Sequence, residues 1–191
     1  IRAWEARTGE YYHSFTGEYG GLWRRNGKAP QKLLGTGFSA QGFDISSYYR
    51  RKPDSFKKEV GWIMKGIGKD EKIGDFGLIG GGAAGLEIDR ADRLLGTPPG
   101  AYVLASSEDH TDIYLVVCEE LLINYPGLGG QENDLVRADI VYYPTQNGGG
   151  VFSTSSIAWS GSLSHNGYNN NVSQMTKNVL DRFASNKPME G

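Results

Sequence analysis

The chain has 191 residues, a formal net charge of −2, and 22% charged against 38% hydrophobic residues, a balance that fits one domain able to bury a core. It lacks the basic surface that nucleic-acid binding needs, and no apolar run reaches the roughly 18 residues that cross a bilayer. Glycine is the outlier, at 28 residues, about twice the usual share of roughly 7%.

From the start of the chain, Ile1–Ala6 reads as a short strand. Residues 1–30 are otherwise aromatic and glycine-rich, with Tyr11, Tyr12, Phe15, Tyr19 and Trp23 crowded together. They follow neither helical nor strand periodicity and read as a structured loop region. Lys32–Ser39 is apolar enough for a strand, and Ser46–Arg51 with Pro53 reads as a turn. Phe56, Val60, Ile63, Met64 and Ile67 share one helical face, predicting a helix over Ser55–Ile67 that ends at Gly66 and Gly68. Phe76–Ile79 reads as a brief strand and Asp89–Leu95 as a short helix stopped by Gly96 and Pro98-Pro99. Ala101–Ser106 and Thr111–Cys118 read as strands. Asn147-Gly148-Gly149 predicts a hairpin turn between Asp139–Tyr143 and Gly150–Trp159. Last comes a helix capped by Asn171, with Val172, Met175, Val179, Leu180 and Phe183 on one face. Strands with interposed helices predict an α/β or α+β domain on a mixed sheet. Residues 1–54 are expected to form the loop region, and 55–191 the α/β part, of a single unit.

Cys118 is the only cysteine. It excludes an intrachain disulfide and reads as a buried thiol, which favours a reducing, cytoplasmic setting. The residues Gly80-Gly81-Gly82-Ala83-Ala84-Gly85-Leu86-Glu87 offer two functional readings. Gly80, Gly82 and Gly85 match Gly-x-Gly-x-x-Gly, and Glu108 follows Gly85 at a distance that suits a ribose contact. Against this dinucleotide-binding reading, the helix that follows is too short, and Leu86-Glu87-Ile88-Asp89 alternates like extended chain. In the second reading the glycines clear space around Glu87, a carboxylate placed for general acid or base work. His110 and Glu108 lie just after a strand, where α/β proteins open their ligand crevices, and they join Glu87 as catalytic candidates. Tyr19, like Tyr11 and Tyr12, is a candidate substrate contact. A non-catalytic module that binds carbohydrate or protein through the aromatic loop is a further alternative. No Gly-x-Ser-x-Gly elbow occurs.

Several stretches together carry a family likeness: Gly9-Glu10-Tyr11-Tyr12-His13-Ser14, Gln41-Gly42-Phe43-Asp44, Gly80 to Arg90, Leu95-Gly96-Thr97-Pro98-Pro99, Ala105-Ser106-Ser107-Glu108, Gly129 to Asp139, and Ser155 to Phe183. They resemble the C-terminal part of the large (beta) subunit of N,N-dimethylformamidase-like proteins, over nearly the whole chain. The resemblance implies a hydrolase of small N-alkyl amides with a glutamine-amidotransferase-like (flavodoxin-like) fold. It also implies an iron held by two tyrosines and a glutamate upstream of this region, near a His-Pro-Glu-Tyr stretch that is absent here. The chain is therefore expected to be a fragment that binds no iron and is inactive alone, beginning as it does at Ile1. Glu87 matches a family active-site glutamate, and Tyr125 an aromatic pocket residue. A homo-oligomer and a small partner subunit are expected; nucleic acid and membrane are not.

Overall fold

A computed structural model describes residues 16–17, 22–117 and 126–189. It is a mixed α/β structure with two antiparallel sheets and few helices. One sheet has the order β3-β1-β5 and the other β2-β4-β6-β7. Their strands are β1 (Gly37–Ser47), β2 (Tyr49–Arg51), β3 (Ala84–Arg90), β4 (Tyr102–Ser107), β5 (Leu115–Val116), β6 (Asp139–Pro144) and β7 (Gly150–Ser153). Every described strand pair is antiparallel, so the expected mixed sheet is replaced by two sheets of one kind. A single residue, Tyr48, separates β1 in one sheet from β2 in the other.

The core lies between the sheets and the helices. Tyr49, Ile63, Ile73, Ile88, Leu104, Tyr114, Ile140 and Met175 are fully buried. Tyr49 meets Trp159 edge-on at 5.7 Å between ring centroids and donates its hydroxyl to the carbonyl of Thr154 at 2.8 Å, so its one polar group is satisfied. Asp139, 1% exposed, ties the sheets together. Its carboxylate accepts from the Ser106 hydroxyl at 2.6 Å and the Arg137 guanidinium at 3.1 Å. It also accepts from the backbone N–H of Ala91, just beyond β3, at 2.9 Å.

Three regular helices are short or peripheral: α1 (Gln31–Leu34), α2 (Ala158–Ser162) and α3 (Asn171–Phe183). α3 lies where the apolar spacing placed it and buries Val172, Met175 and Val179. Its cap is Asn170, whose side chain accepts from Ser173 N–H at 2.9 Å. Asn171 instead uses its side-chain oxygen to accept from Gly74 N–H at 3.0 Å. The hairpin at Asn147-Gly148-Gly149 joins β6 to β7.

Other local expectations fail for visible reasons. Residues 55–67 form 3-10 turns at Pro53–Phe56 and Lys58–Val60 followed by further turns, not a helix. Two carbonyls that a helical ladder would use are taken by side chains: Asn178 donates to Ile63 O, and Arg51 to Ser55 O. Residues 76–79 are loop and turn; Phe76 O accepts from the Ser162 hydroxyl rather than from a strand. The expected helix at Asp89–Leu95 is the end of β3 and a turn in which Asp92 accepts from Leu94 N–H. Lys32–Ser39 divides into α1 and the start of β1, and the expected turn at Ser46–Arg51 is strand. Of Thr111–Cys118 only Leu115–Val116 pairs, and the strand from Gly150 stops at Ser153. The segment Ile1–Ala6, Tyr11, Tyr12, Phe15 and Cys118 fall outside the described residues.

The glycine run enters strand β3, not a helix, so it has no helix N-terminus on which to seat a pyrophosphate. Its open side is also filled. A Cβ at Gly85 would overlap the Ser46 side chain, and one at Gly80 would stand 2.5 Å from Ser46 Oγ and 2.6 Å from Ser46 N. The dinucleotide reading fails on both counts. The glycines make room for the end of β1, not for a phosphate and not for Glu87. Gly85→Ala should therefore destabilise by about 2–3 kcal/mol, the usual cost of overpacking. Combining it with Ser46→Gly should recover part of that loss in urea unfolding. Gly81→Ala meets no atom within 4 Å but sits at φ +79°, and should cost only about 1 kcal/mol.

Candidate functional site

β3 alternates its side chains, so Glu87 and Asp89, two residues apart, share one face. β1 covers one edge of the strand, with Gln41 opposite Glu87. The other edge meets the segment after β7: Ile88 bridges Ser156, and Asp89 N–H donates to Ser155 O at 2.9 Å. Between them lies a groove of about 270 Å³ lined by Thr36, Glu87, Asp89 and Ser153 to Ile157. Its wall is held by hydroxyls. Ser155 Oγ donates to Thr36 Oγ1 at 2.9 Å. Ser156 Oγ accepts from Gly85 N–H at 2.8 Å and donates to Gly85 O at 3.0 Å. Ser155 holds φ at +64°, a left-handed conformation uncommon outside glycine.

Glu87 is exposed. The two arginines near it in sequence are engaged elsewhere: Arg90 with Asp92 at 3.0 Å, and Arg93 with the carbonyls of Thr97 and Ala101. Asp89 is more enclosed. Burial, and then the Glu87 charge beside it, push its carboxyl up to about 6. Asp89 was not among the sequence candidates. The signal was present, because a Glu-x-Asp pair on extended chain puts both acids on one face.

His110 and Glu108 do not line this groove. Glu108 faces Arg50 and Lys52, each at 3.8 Å, while its carbonyl accepts from the Ser47 hydroxyl. His110 is 2% exposed. Its Nε2 lies 2.7 Å from Ser107 Oγ, which also accepts from Ala138 N–H at 2.7 Å. Its Nδ1 is buried with no partner. A doubly protonated ring would need an acceptor there, so the neutral ring is favoured. Burial pushes the imidazole down to about 4, against the opposing charge of Asp109. The ring packs on Tyr114 at 4.7 Å between centroids. Tyr114 in turn accepts from Leu86 N–H at 3.2 Å through its hydroxyl, so His110 reaches the Glu87 strand at second hand. Tyr19 and Tyr125 lie outside the described residues. Among the described residues, no group of three or more His, Cys, Asp or Glu could hold a metal ion, and no helix is long and apolar enough to cross a membrane.

The depressed His110 value has a definite sign. The group favours folding above the unfolded imidazole value of about 6.5. That contribution, at most roughly 3 kcal/mol, is lost as pH falls from there toward 4. Asp89, raised to about 6, contributes the opposite slope over the same range, so the prediction is a difference: the unfolding free energy of the wild type minus that of His110→Gln should rise with pH across pH 4–7 in chemical unfolding.

Comparison with known proteins gives one consistent result. Residues 1–172 match the family described as "N,N-dimethylformamidase beta subunit-like, C-terminal". Over 188 residues, 98% of this chain, the sequence is 53% identical to the N,N-dimethylformamidase beta subunit of Alcaligenes sp and likewise to that of Paracoccus aminophilus. The match occupies 25% of each of those proteins, so the chain spans about a quarter of the length of these curated relatives. The chain thus belongs to the N,N-dimethylformamidase beta subunit-like, C-terminal family.

Proposed function

We propose that this chain contributes the acidic groove of Glu87 and Asp89 to an amide hydrolase, acting on small N-alkyl amides such as the one in the relatives' name. The observation that carries the reading is the pair itself: two carboxyls on one face of β3 in a hydroxyl-walled groove, one of them with its proton held more tightly by burial and by its neighbour. Amide hydrolysis can use such a pair. Water adds to the carbonyl carbon, a new C–O bond forms, the C–N bond breaks, and the nitrogen leaves only once it is protonated. Glu87, the more exposed acid, takes the proton from water. The coupled pair then returns a proton to the departing nitrogen.

His110 acts in this reading as a positioning residue, through Tyr114 and the backbone of Leu86. Glu108 fixes Arg50 and Lys52 beside it. Tyr19 and Tyr125 are proposed as substrate contacts on the strength of the family resemblance and of their aromatic character. The resemblance implies an iron held by two tyrosines and a glutamate. Its ligands are assigned to other parts of the longer family polypeptide, and no step above runs through it. The glutamine-amidotransferase-like fold is likewise proposed for that longer polypeptide, as are a homo-oligomer, a small partner subunit and a cytoplasmic setting.

Glu87→Gln keeps the size of the side chain and one acceptor oxygen but removes its charge and basicity. In the complete enzyme carrying this stretch, kcat for N,N-dimethylformamide should fall by about 100-fold or more, with the substrate still bound. A wild-type rate in Glu87→Gln would remove the residue from the chemistry.

A further inference from the structure

A second cavity, of about 440 Å³, is walled by the turns after β2 and β3, by β4 and by the start of β6. It shares no lining residue with the acidic groove, and its volume lies within the roughly 300–1,000 Å³ of small-molecule sites. Three acids line it, and each is already supplied with donors. Asp54 pairs with Lys57 at 2.6 Å and accepts from Val103 N–H at 3.0 Å. Asp92 pairs with Arg90 at 3.0 Å and accepts from Leu94 N–H at 2.9 Å. Asp139 is filled by Arg137, the Ser106 hydroxyl and Ala91 N–H. The cations of the wall are not matched in the same way. Lys52 makes no hydrogen bond through its ammonium among the described residues; its nearest acid, Glu108, stands 3.8 Å away and faces Arg50 at the same distance. Arg93 spends its donors on two neutral carbonyls, Thr97 O at 3.3 Å and Ala101 O at 2.9 Å. Arg137 places Nε on Asp139 and Nη1 on Asp134 O, which leaves Nη2 without a partner among the described residues.

We infer that this cavity binds a small organic anion, its carboxylate or phosphate oxygens met by Lys52, Arg93 and Arg137. The wall has spent its carboxylate acceptors and kept donors, so the ligand that complements it is rich in acceptors and negatively charged. A cationic ligand would find no unspent carboxylate there. The surplus of positive charge is local, since the chain as a whole carries −2. Beside the cations the wall is apolar, at Pro53, Ala91 and Val103, which suits an organic body behind the charged head. The site stands apart from Glu87 and Asp89 and does not rest on the amide-hydrolase reading.

Amide NMR titration of the 191-residue chain with acetate, benzoate, inorganic phosphate and phenyl phosphate, at low ionic strength, tests this. The reporters are the N–H groups of Ala91 and Val103, each bonded to a carboxylate of the wall. Both should shift saturably, with benzoate or phenyl phosphate half-saturating at about 1 mM. Acetate and inorganic phosphate, which lack the apolar body, should bind about five-fold more weakly. The tighter of the two aromatic ligands identifies carboxylate or phosphate as the head group. Lys52→Gln should weaken that ligand about ten-fold and Lys52→Arg should restore it, with the unfolding midpoint unchanged in both variants. The absence of a saturable shift at the two amides with all four ligands overturns the site. So does the same affinity in Lys52→Gln as in the wild type. Chloride binding as tightly as acetate would overturn the oxyanion, and equal affinity for acetate and benzoate the organic body. Glu87 lies outside this cavity, so either result leaves the test of Glu87→Gln standing.

Discussion

Ser46 occupies the space that side chains at Gly80 and Gly85 would need, and much else follows from that approach. Only a backbone stripped of Cβ atoms can lie this close to another strand. The contact brings the turn onto the end of β1, and Ser46 N–H closes it through Gly80 O. β3 then leaves the turn at Ala84 beside β1. Its direction sets the face on which Glu87 and Asp89 stand and the side on which Ser155 and Ser156 can bond to it.

That arrangement explains why the two acids differ although they are chemically similar and only two residues apart. Glu87 is exposed and Asp89 half-buried in the same groove. Burial acts first on Asp89, and the negative charge of Glu87 adds to it. Both effects penalise a second ionised carboxylate in one groove. His110 shows the opposite consequence of burial. With no acceptor for Nδ1, it is kept neutral and held by Ser107 and Tyr114. It serves the packing around β3 more directly than any reaction at the groove.

The parts of the fold legible in the sequence were those governed by local chemistry. The Asn147-Gly148-Gly149 hairpin and α3 both carry strong local signals, a left-handed turn dipeptide in one and a repeated apolar face in the other. The extended nature of Glu87 to Asp89 was readable from its alternation, although Leu86 itself turns through φ +61°. Residues 55–67 were misread because helical spacing says nothing about Asn178 and Arg51, which arrive from elsewhere to take two of the backbone carbonyls. The glycine run was misread as clearance around Glu87, because the residue it makes room for, Ser46, lies more than thirty residues upstream. Glu87 was singled out from its place after the turn. Asp89 was passed over because its character comes from enclosure by residues 153–157, which sequence spacing does not reveal.

The central claim is that Glu87 and Asp89 form one coupled acid pair in a surface groove. Carbon-13 NMR titration of the two carboxyl groups addresses it directly, in the wild type and in Glu87→Gln. The account predicts an Asp89 midpoint near 6 that falls toward, but does not reach, the ordinary aspartate value of about 3.9 once the Glu87 charge is removed. An Asp89 midpoint near 4 in both proteins would contradict it.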